Sequence, residues 1–342
     1  MHFINALLSV LAAVQVLAHP GHDVRKEALA RRTFLENAKR TDLNHCSAQL
    51  RARGHDKRSV LRRQALAAEN AQRGIIQRAP SDINKTHLST ENFDQNTPLH
   101  DVFAVNRSCV LSPEVTEGPY YVAGEFVRKD VTEKQDGVPL WIDIDVLDVA
   151  SCEPVTDVWV EIWSCNATGV YSGVAIGAAF KPAPENLNNT FLRGFQKTDA
   201  DGAVQFQSLF PGHYEGRTHH VHVAVHPTTT QERANQTIAD ATVTHLGQMY
   251  FDQDLLDSVE TVEPYASNQA GWTKNAQDFL LMQGLATSDP LMQYVQLGDK
   301  LEDGVLAWLS FGIDTTYSKK AYVAATYYEE GGKATPNRPF LE

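Results

Sequence analysis

The chemistry of this chain is most visible at His220 and His222, two histidines that are separated by a single residue. The valines at 221, 223 and 225 alternate with them, and a period of two is typical of a β-strand. On a strand, both imidazoles project from one face and the valines from the other. Two imidazoles side by side on a rigid element provide half of a metal site.

Further nitrogen and oxygen donors lie in this segment or in earlier turns. Tyr214 precedes the histidine pair and Tyr171 closes an earlier turn; each tyrosine follows a glycine by two residues. A ring in such a turn, next to a strand, can point inward toward the histidines. The other candidate donors are His213, His219, Glu215 and Asp199. The residue types alone therefore leave the composition of the metal site open.

The region after Cys109 consists of short apolar runs separated by turns. Strands are predicted at 140–147, 158–163, 203–206, 220–225, 248–251, 305–313 and 321–328. This spacing favours a β-sandwich or barrel with long loops over alternating strands and helices. We expect a mainly β protein, with an antiparallel β-sandwich and a helical N-terminal extension. One helix is expected as an excursion within residues 254–300, at Asp289–Lys300.

The N-terminal part differs in composition from the rest. Residues 1–18 resemble a secretory signal peptide, with an apolar run that is too short to span a membrane. Residues 19–108 are predicted to be a basic helical region, broken near Gly54, followed by a polar linker. Residues 109–342 are predicted to form the catalytic domain, which is long enough for one well-buried core. No later stretch is apolar enough to predict a membrane span.

Charge is distributed unevenly along the chain. The net charge is −12, yet residues 19–79 contain 14 Lys or Arg against 6 Asp or Glu. The remainder is strongly acidic, which argues against nucleic acid as a partner. The basic segment is interpreted as a solvated amphipathic helix or a removable prosegment. Dibasic pairs at Lys39–Arg40 and Lys57–Arg58 are candidate processing sites, with Cys46 between them.

Cysteines and sequons favour a secreted, extracellular protein. The four cysteines predict two disulfides in an oxidising compartment. Cys152 and Cys165 flank one predicted strand and are predicted to pair, which leaves Cys46 with Cys109. The lack of any Cys-x2-Cys spacing disfavours a zinc site. The candidate glycosylation sites are the five Asn-x-Ser/Thr sequons at Asn84, Asn106, Asn166, Asn188 and Asn235.

Six segments, taken in order, resemble the intradiol ring-cleaving dioxygenases, which include catechol 1,2-dioxygenases and protocatechuate 3,4-dioxygenases. The likeness is greatest to the secreted fungal members and extends from about residue 109 to about residue 250. Each segment alone is a weak signal, and the ordered set is a strong one. The segments are Glu117–Tyr121, Trp163–Tyr171, Leu192–Gly202, Phe210–Tyr214, Arg217–His222 and Gln248–Phe251.

The resemblance implies one ferric ion, coordinated by Tyr171, Tyr214, His220 and His222 and by a solvent hydroxide. Phenolate is a hard, anionic oxygen donor that suits the hard Fe(III) ion better than a thiolate would. A free tyrosine has a pKa of about 10. Coordination by a ferric ion would ionise it at neutral pH, as a metal does to bound water.

The resemblance also assigns roles to residues around the ion. Tyr214 would leave the metal and accept a substrate proton, and Arg217 and Gln248 would lie beside the substrate. Pro119 and Tyr120 would line the substrate cleft. The implied reaction uses O2 to cleave a catechol-type ring between its two hydroxylated carbons, giving a muconic-acid-type product. It requires no nicotinamide, flavin or external reductant.

Two features depart from the family pattern. The gap between His222 and Gln248 is longer than in the bacterial intracellular enzymes, and it contains Asn235, so it is interpreted as a surface insertion. The basic N-terminal segment does not match the dimerising helical domain of catechol 1,2-dioxygenases, which leaves the oligomeric state open.

Other interpretations predict different features. A catalytically silent β-sandwich binding module would have lost at least one ligand residue, and a secreted zinc or copper enzyme would favour a carboxylate or an open water position. Arg217 could be a structural ion-pair partner, and Gln248 could anchor a loop. The residues interpreted as packing residues are Tyr121, Tyr250, His219, His226 and His245.

Overall fold

A computed structural model of the chain describes residues 43–70, 108–109, 118–177, 181–285 and 288–336. The helices are α1 (Ser47–Ala52), α2 (His55–Asn70), α3 (Gln253–Val259) and α4 (Phe279–Leu285). The short 3-10 turns are Asn44–Cys46, Gly118–Tyr120, Pro184–Asn188, Tyr265–Ser267, Asn275–Gln277 and Leu301–Asp303. The predicted signal peptide, both N-terminal sequons and the Lys39–Arg40 pair lie outside the described residues.

Two sheets form the sandwich. The first contains β1 (Ser108–Cys109), β4 (Pro139–Asp148), β7 (Ala203–Leu209), β12 (Gln293–Gln296) and β13 (Val305–Ile313). The second contains β5 (Trp159–Trp163), β6 (Arg193–Lys197), β8 (His220–His226) and β11 (His245–Tyr250), in the order β11-β8-β5-β6. The second sheet is entirely antiparallel, whereas β13 runs parallel to β4 and β1 in the first. The predicted mainly β sandwich is confirmed, with this parallel pairing as an addition.

Short strands complete the fold outside these two sheets. They are β2 (Val122–Ala123), β3 (Glu125–Phe126), β9 (Thr237–Ile238), β10 (Thr242–Val243), β14 (Lys319–Lys320), β15 (Ala325–Tyr328) and β16 (Gly331–Ala334). β15 pairs with β2 and β16, and the other four form two antiparallel pairs.

The alternation of apolar residues along the strands builds the core between the sheets. The valines of β8 face inward, together with the isoleucines of β4 and Phe206 of β7. The opposite face of β8 carries His220, His222 and His226, which are also buried. The second sheet is therefore covered on both faces, and its outer face is where the polar side chains collect.

Helices α1 and α2 are packed against the first sheet. Val60, Leu66 and Ala67 contact a buried cluster that includes Trp308 of β13. Gly54, at a φ of 68°, separates the two helices, as the sequence predicted. Within residues 43–70, the basic segment therefore contains an amphipathic helix that is exposed on one face, as predicted, and packed against the sandwich on the other.

The predicted disulfide pairing is wrong. Cys46 is bonded to Cys152, with the Cα atoms 5.3 Å apart, and Cys165 is a buried free thiol. Cys152 lies in the turn after β4, whereas Cys165 follows the far end of β5, so the strand between them holds them apart. The 3-10 turn at Asn44–Cys46 brings Cys46 against the turn that contains Cys152. The pairing of Cys46 with Cys109 is excluded by the same bond.

The excursion after β11 is also different from its prediction. Its helices are α3 and α4, and residues 289–300 contain strand β12 in place of the expected helix. β12 pairs antiparallel with β13. Pairing with β13, the next strand along the chain, here overrides the local pattern.

Candidate metal centre

Three donor atoms meet in a buried triangle on the outer face of the second sheet. The phenol oxygen of Tyr171 lies 3.3 Å from Nε2 of His220 and 3.2 Å from Nε2 of His222. The two Nε2 atoms are 3.2 Å apart. Ligand atoms that share one metal ion at bonds of about 2 Å are roughly 3 Å from one another. The spacing of these atoms therefore fits a single ion.

Tyr214 lies next to this triangle. Its ring meets the rings of Tyr171 and His220 edge-on, with centroids 5.7 Å apart in each case. Gly169 and Gly212 make this approach possible, because a Cβ at either position would collide with the backbone of the other turn. The structure thus brings together all four side chains that the sequence nominated as ligands.

The hydrogen bonding of His220 prepares it to donate a lone pair. Its Nδ1–H donates to the carbonyl of Thr218 at 2.6 Å, so Nε2 is the free nitrogen that faces the site. Burial, and next the charge of Arg217, hold the pKa of His220 well below its ordinary value. The ring is therefore neutral, as a metal ligand must be.

Burial raises the pKa values of the two phenols, whereas it lowers that of His220. Burial is the main cause that raises the pKa of Tyr171 well above 10, and it raises that of Tyr214 to about 12 against the opposing charge of Arg217. Without a cation, both phenols stay protonated in this dry site. A highly charged ion would lower both pKa values, so the donor set fits a hard trivalent metal.

Arg217 is buried and connects the site to three other polar groups. Its guanidinium donates to Asp278 at 2.9 Å, to the hydroxyl of Tyr250 at 2.9 Å and to Oε1 of Gln248. Nη1 is also 3.5 Å from the phenol oxygen of Tyr214. Arg217 is therefore both an ion-pair partner and a fixed positive charge beside the candidate metal ligands.

Gln248 reaches the site because β11 pairs with β8 in a register that places it opposite His222. Its Nε2 lies 3.5 Å from Nδ1 of His222, and its Oε1 accepts from Tyr250 and Arg217. The long connection between the two strands is exposed over residues 231–236, which include Asn235. Strand pairing thus brings Gln248 next to His222 despite the long connection between them.

Pro119 and Tyr120 lie in a buried 3-10 turn beside the tyrosines. The ring of Tyr120 stacks on that of Tyr171, with centroids 4.2 Å apart and planes within 11°. Arg193 holds this stack by donating to the carbonyl of Tyr120 at 2.7 Å and to that of Ser172 at 2.7 Å. Arg193 therefore has a scaffold role, and it also stands over the ring of Tyr171.

Most of the other nominated donors have structural partners. Asp199 accepts the backbone N–H groups of residues 201 and 203 in its turn. His219 and His213 both contact Oε1 of Glu260, and His226 contacts Glu161. Tyr250, interpreted from the sequence as a packing residue, instead contacts Arg217 and Gln248.

Two acidic residues at the site were missed by sequence reasoning. Asp278 pairs with Arg217, and Glu260 receives two histidines that flank the candidate ligands. Both lie beyond the last family-like segment, in the excursion between β11 and β12. Their only local signal is an acidic residue near a helix end, which is too common to indicate a site.

Comparisons with known proteins found similar sequences. Residues 116–275 match a protein family described as dioxygenase. Catechol 1,2-dioxygenase 1 of Acinetobacter lwoffii is 36% identical over 110 residues, which are 30% of this chain and 32% of that protein. The match thus spans about a third of that curated relative.

Comparisons with solved structures cover more of the chain. An intradiol ring-cleavage dioxygenase from Tetranychus urticae is 29% identical, with a TM-score of 0.51, covering 61% of this chain and 97% of its own. Catechol 1,2-dioxygenase from Pseudomonas arvilla C-1 is 19% identical, with a TM-score of 0.36, covering 58% of this chain and 60% of that one.

Proposed function

We propose, on the premise that this chain belongs to the intradiol ring-cleavage dioxygenase family, that it is a secreted Fe(III) dioxygenase that acts on catechol-type rings. The proposed reaction adds both atoms of O2 across the bond between the two hydroxylated carbons. The product is a muconic-acid-type dicarboxylic acid. Because both oxygen atoms enter the product, no external reductant is consumed.

The observation that supports this proposal most directly is the buried triangle of Tyr171, His220 and His222, with Tyr214 beside it. These four side chains would hold the ion. Two phenol oxygens and two neutral imidazoles are a donor set for a hard, oxidised metal, and this set contains neither the carboxylate nor the thiolate that is common in zinc sites. When bound, the ferric ion would activate the catechol ring for reaction with O2.

The surrounding residues would supply binding and proton transfer. Tyr214 would accept a proton from a substrate hydroxyl, and Arg217, which lies 3.5 Å from its oxygen, would stabilise the phenolate form. Arg217 also stabilises negative charge that develops on the substrate ring, as a fixed donor in a dry site does. Pro119 and Tyr120 would form the wall of the substrate cleft.

Secretion and glycosylation are part of the same proposal. Residues 1–18 would be removed as a signal peptide, and the Cys46–Cys152 bond suits an oxidising compartment. Asn188 and Asn235 are exposed and are the proposed glycan sites within the described residues. Asn166 is half-buried, and its side chain is hydrogen-bonded to residues 135, 168 and 170. None of the described helices is long and apolar enough to cross a membrane.

The test is metal analysis, visible absorption and oxygen uptake on purified full-length protein. We expect one iron per chain, a reddish-brown colour from tyrosinate-to-iron charge transfer, and O2 uptake with some member of a panel. The panel contains catechol, hydroxyquinol, protocatechuate and substituted catechols, with product identification by mass.

Tyr171→Phe tests the site directly, because it removes one donor oxygen and keeps the ring stack with Tyr120. We expect loss of the colour and of more than about 99% of the activity, since ligand removal disrupts the metal site. Tyr294→Phe, a buried tyrosine in the other sheet, is the matched control and should behave as wild type. A wild-type protein that binds zinc or copper in preference to iron, or stays colourless after iron loading, would overturn the proposal.

A further inference from the structure

The segment between β11 and β12 contributes two carboxylates to the outer side of the candidate metal centre. We propose that Asp278 and Glu260 are positioning residues that fix the turn at 213–220 and thereby orient Tyr214, Arg217 and His220. This inference rests on the proposed function. Asp278 lies beyond the residues that match the dioxygenase family, which end at 275.

Asp278 ties three groups together with its two oxygens. Oδ2 accepts Nε of Arg217 and the backbone N–H of Thr218, each at 2.9 Å, and Oδ1 accepts the N–H of Leu281 at the start of α4. Asp278 and Arg217 are both almost fully buried. A buried carboxylate with three donors is a rigid anchor, so the guanidinium is held at one end while its other nitrogens face Tyr214 and Gln248.

Thr218 carries this restraint to the histidines. Its N–H is held by Asp278, its hydroxyl donates to Asn275 at 2.8 Å, and its carbonyl accepts Nδ1–H of His220. Thr218, whose carbonyl selects the tautomer of His220, is therefore held in place by residues of the segment between β11 and β12. Partners of this kind orient a metal-binding imidazole and are needed for its affinity.

Glu260 acts on the two residues adjacent to candidate ligands. Its Oε1 lies 2.8 Å from Nδ1 of His213 and 2.7 Å from Nε2 of His219. His213 precedes Tyr214 and His219 precedes His220, so one oxygen bridges the ends of the turn. The other nitrogen of His213 donates to the carbonyl of Ala270 at 3.1 Å. These separations have hydrogen-bond lengths, which favours a clamp over a second metal site.

The two carboxylates have separable effects. Asp278 acts mainly on Arg217, which serves the reacting substrate, so its loss should lower kcat more than it raises KM. Glu260 acts on the turn that carries two ligands, so its loss should alter the metal site itself. Removal of partners of this type usually costs about 10- to 100-fold in activity or metal affinity.

The first test compares Asp278→Asn, Asp278→Glu and Asp257→Asn. Asp257 is an exposed acid of the same excursion, and its replacement should change nothing. We expect Asp278→Asn to lower kcat, expressed per bound iron, about 10- to 100-fold, and Asp278→Glu to recover part of the loss. A kcat within twofold of wild type in a folded Asp278→Asn protein would overturn the role of Asp278.

The second test follows Glu260→Gln by the energy of the charge-transfer band and by iron removal with a chelator. We expect a shifted band and iron loss about 10-fold faster than in wild type. An unchanged band and rate would overturn the role of Glu260. A second equivalent of zinc or another divalent ion, bound by wild type and lost in Glu260→Gln, would overturn it as well, since the carboxylate would then be a ligand.

Hydrogen exchange on the metal-free proteins separates this inference from the proposed function. Asp278→Asn and Glu260→Gln should each increase amide exchange at 213–220, because the Thr218 N–H and the turn lose their anchors. Asp257→Asn should not increase it. Unchanged exchange would overturn the clamp. Failure of wild-type protein to take up iron or to consume O2 would instead contradict the proposed function and leave the exchange result standing.

Discussion

Tyr250 shows how a single hydroxyl can give a packing residue a second role. Its ring is buried in the second sheet, and its hydroxyl lies between Arg217 and Gln248. The O–H donates to Gln248 while the oxygen accepts from the guanidinium. Tyr250 therefore orients two side chains that are proposed to contact the substrate, and a ring of the same size without the hydroxyl would not.

Tyr250→Phe is expected to lower kcat/KM about 10-fold, because hydrogen bonds to charged groups contribute about 1.5–3 kcal/mol. Steady-state oxygen uptake measures the effect, with the iron content checked for each protein. The iron content should stay at the wild-type level because no ligand is lost. An activity equal to that of wild type would restrict Tyr250 to packing.

Glu260 also predicts a pH dependence of stability. Burial would raise its pKa, but hydrogen bonds from His213 and His219 outweigh burial and lower the pKa from 4.5 to about 2. A carboxyl group with a lowered folded-state pKa stabilises the fold above the unfolded value. That contribution is present above about pH 4.5 and is lost as the pH falls toward 2.

The measurement is urea unfolding of wild type and Glu260→Gln between pH 2 and 7. The free energy of unfolding should fall more steeply below pH 4.5 in wild type than in the variant, which has no carboxyl group to protonate. Parallel curves would show that Glu260 does not titrate with this shift.

Among the helices and strands, α2 has the role that its basic amino-acid composition indicates least. Asp143 and Asp145 alternate with isoleucines along β4 and lie on the face opposite the core between the sheets. Both are fully buried, because Arg62 and Arg63 of α2 cover them. Burial alone would raise the pKa of Asp145, and the two guanidinium groups lower it below its usual value.

Arg63→Met should therefore reduce the free energy of unfolding by about 3–5 kcal/mol, since it leaves two fully buried carboxylates with only the guanidinium of Arg62 to balance their charge. Arg58→Met is the matched control on the same helix: Arg58 pairs with Asp201 at the surface, and such pairs contribute about 0–1 kcal/mol. Chemical denaturation compares the two variants. Equal losses of unfolding free energy in the two variants would mean that burial of the ion pairs does not increase their contribution to stability.

For the whole molecule, the Cys46–Cys152 bond joins the N-terminal helices to the sandwich across 106 residues of sequence. The bond and the burial of α2 make residues 46–70 a structural part of the domain. Cleavage at Lys57–Arg58 would leave the segment that contains Cys46 covalently attached. The prosegment interpretation is thus confined to the chain before the described residues.

Replacing Cys46 and Cys152 together by serine should lower the free energy of unfolding by about 2–5 kcal/mol, the usual effect of closing a long loop. Denaturant unfolding of the double variant measures this loss. Peptide mapping without reduction checks the bond itself: the peptides of Cys46 and Cys152 should be linked, and the Cys165 peptide should contain a free thiol. A Cys152–Cys165 link would contradict the structure.

The sequence by itself determined the features of the protein that depend on local periodicity and on local motifs. Short apolar runs predicted β4, β8 and β13 as strands, and the alternation in β8 predicted that its valines and its paired histidines lie on opposite faces, because side chains on a strand alternate regardless of its partners. The spacing of His220 and His222 indicated half of a metal site, and the resemblance to the intradiol dioxygenases, not spacing, selected Tyr171 and Tyr214 from the other candidate donors. The glycine at 54 likewise predicted the break between α1 and α2.

Tertiary structure decided everything that depends on which distant segments meet. The choice of Cys46 as partner of Cys152 and the burial of Asp143 and Asp145 follow from contacts across many residues of sequence. The strand at 293–296 follows from its pairing with β13. Asp278 and Glu260 belong to the same group, because an acidic residue acquires a role only when a particular arginine or histidine is packed against it. Local sequence contains the residue types, and the fold alone supplies the neighbours that make them act together.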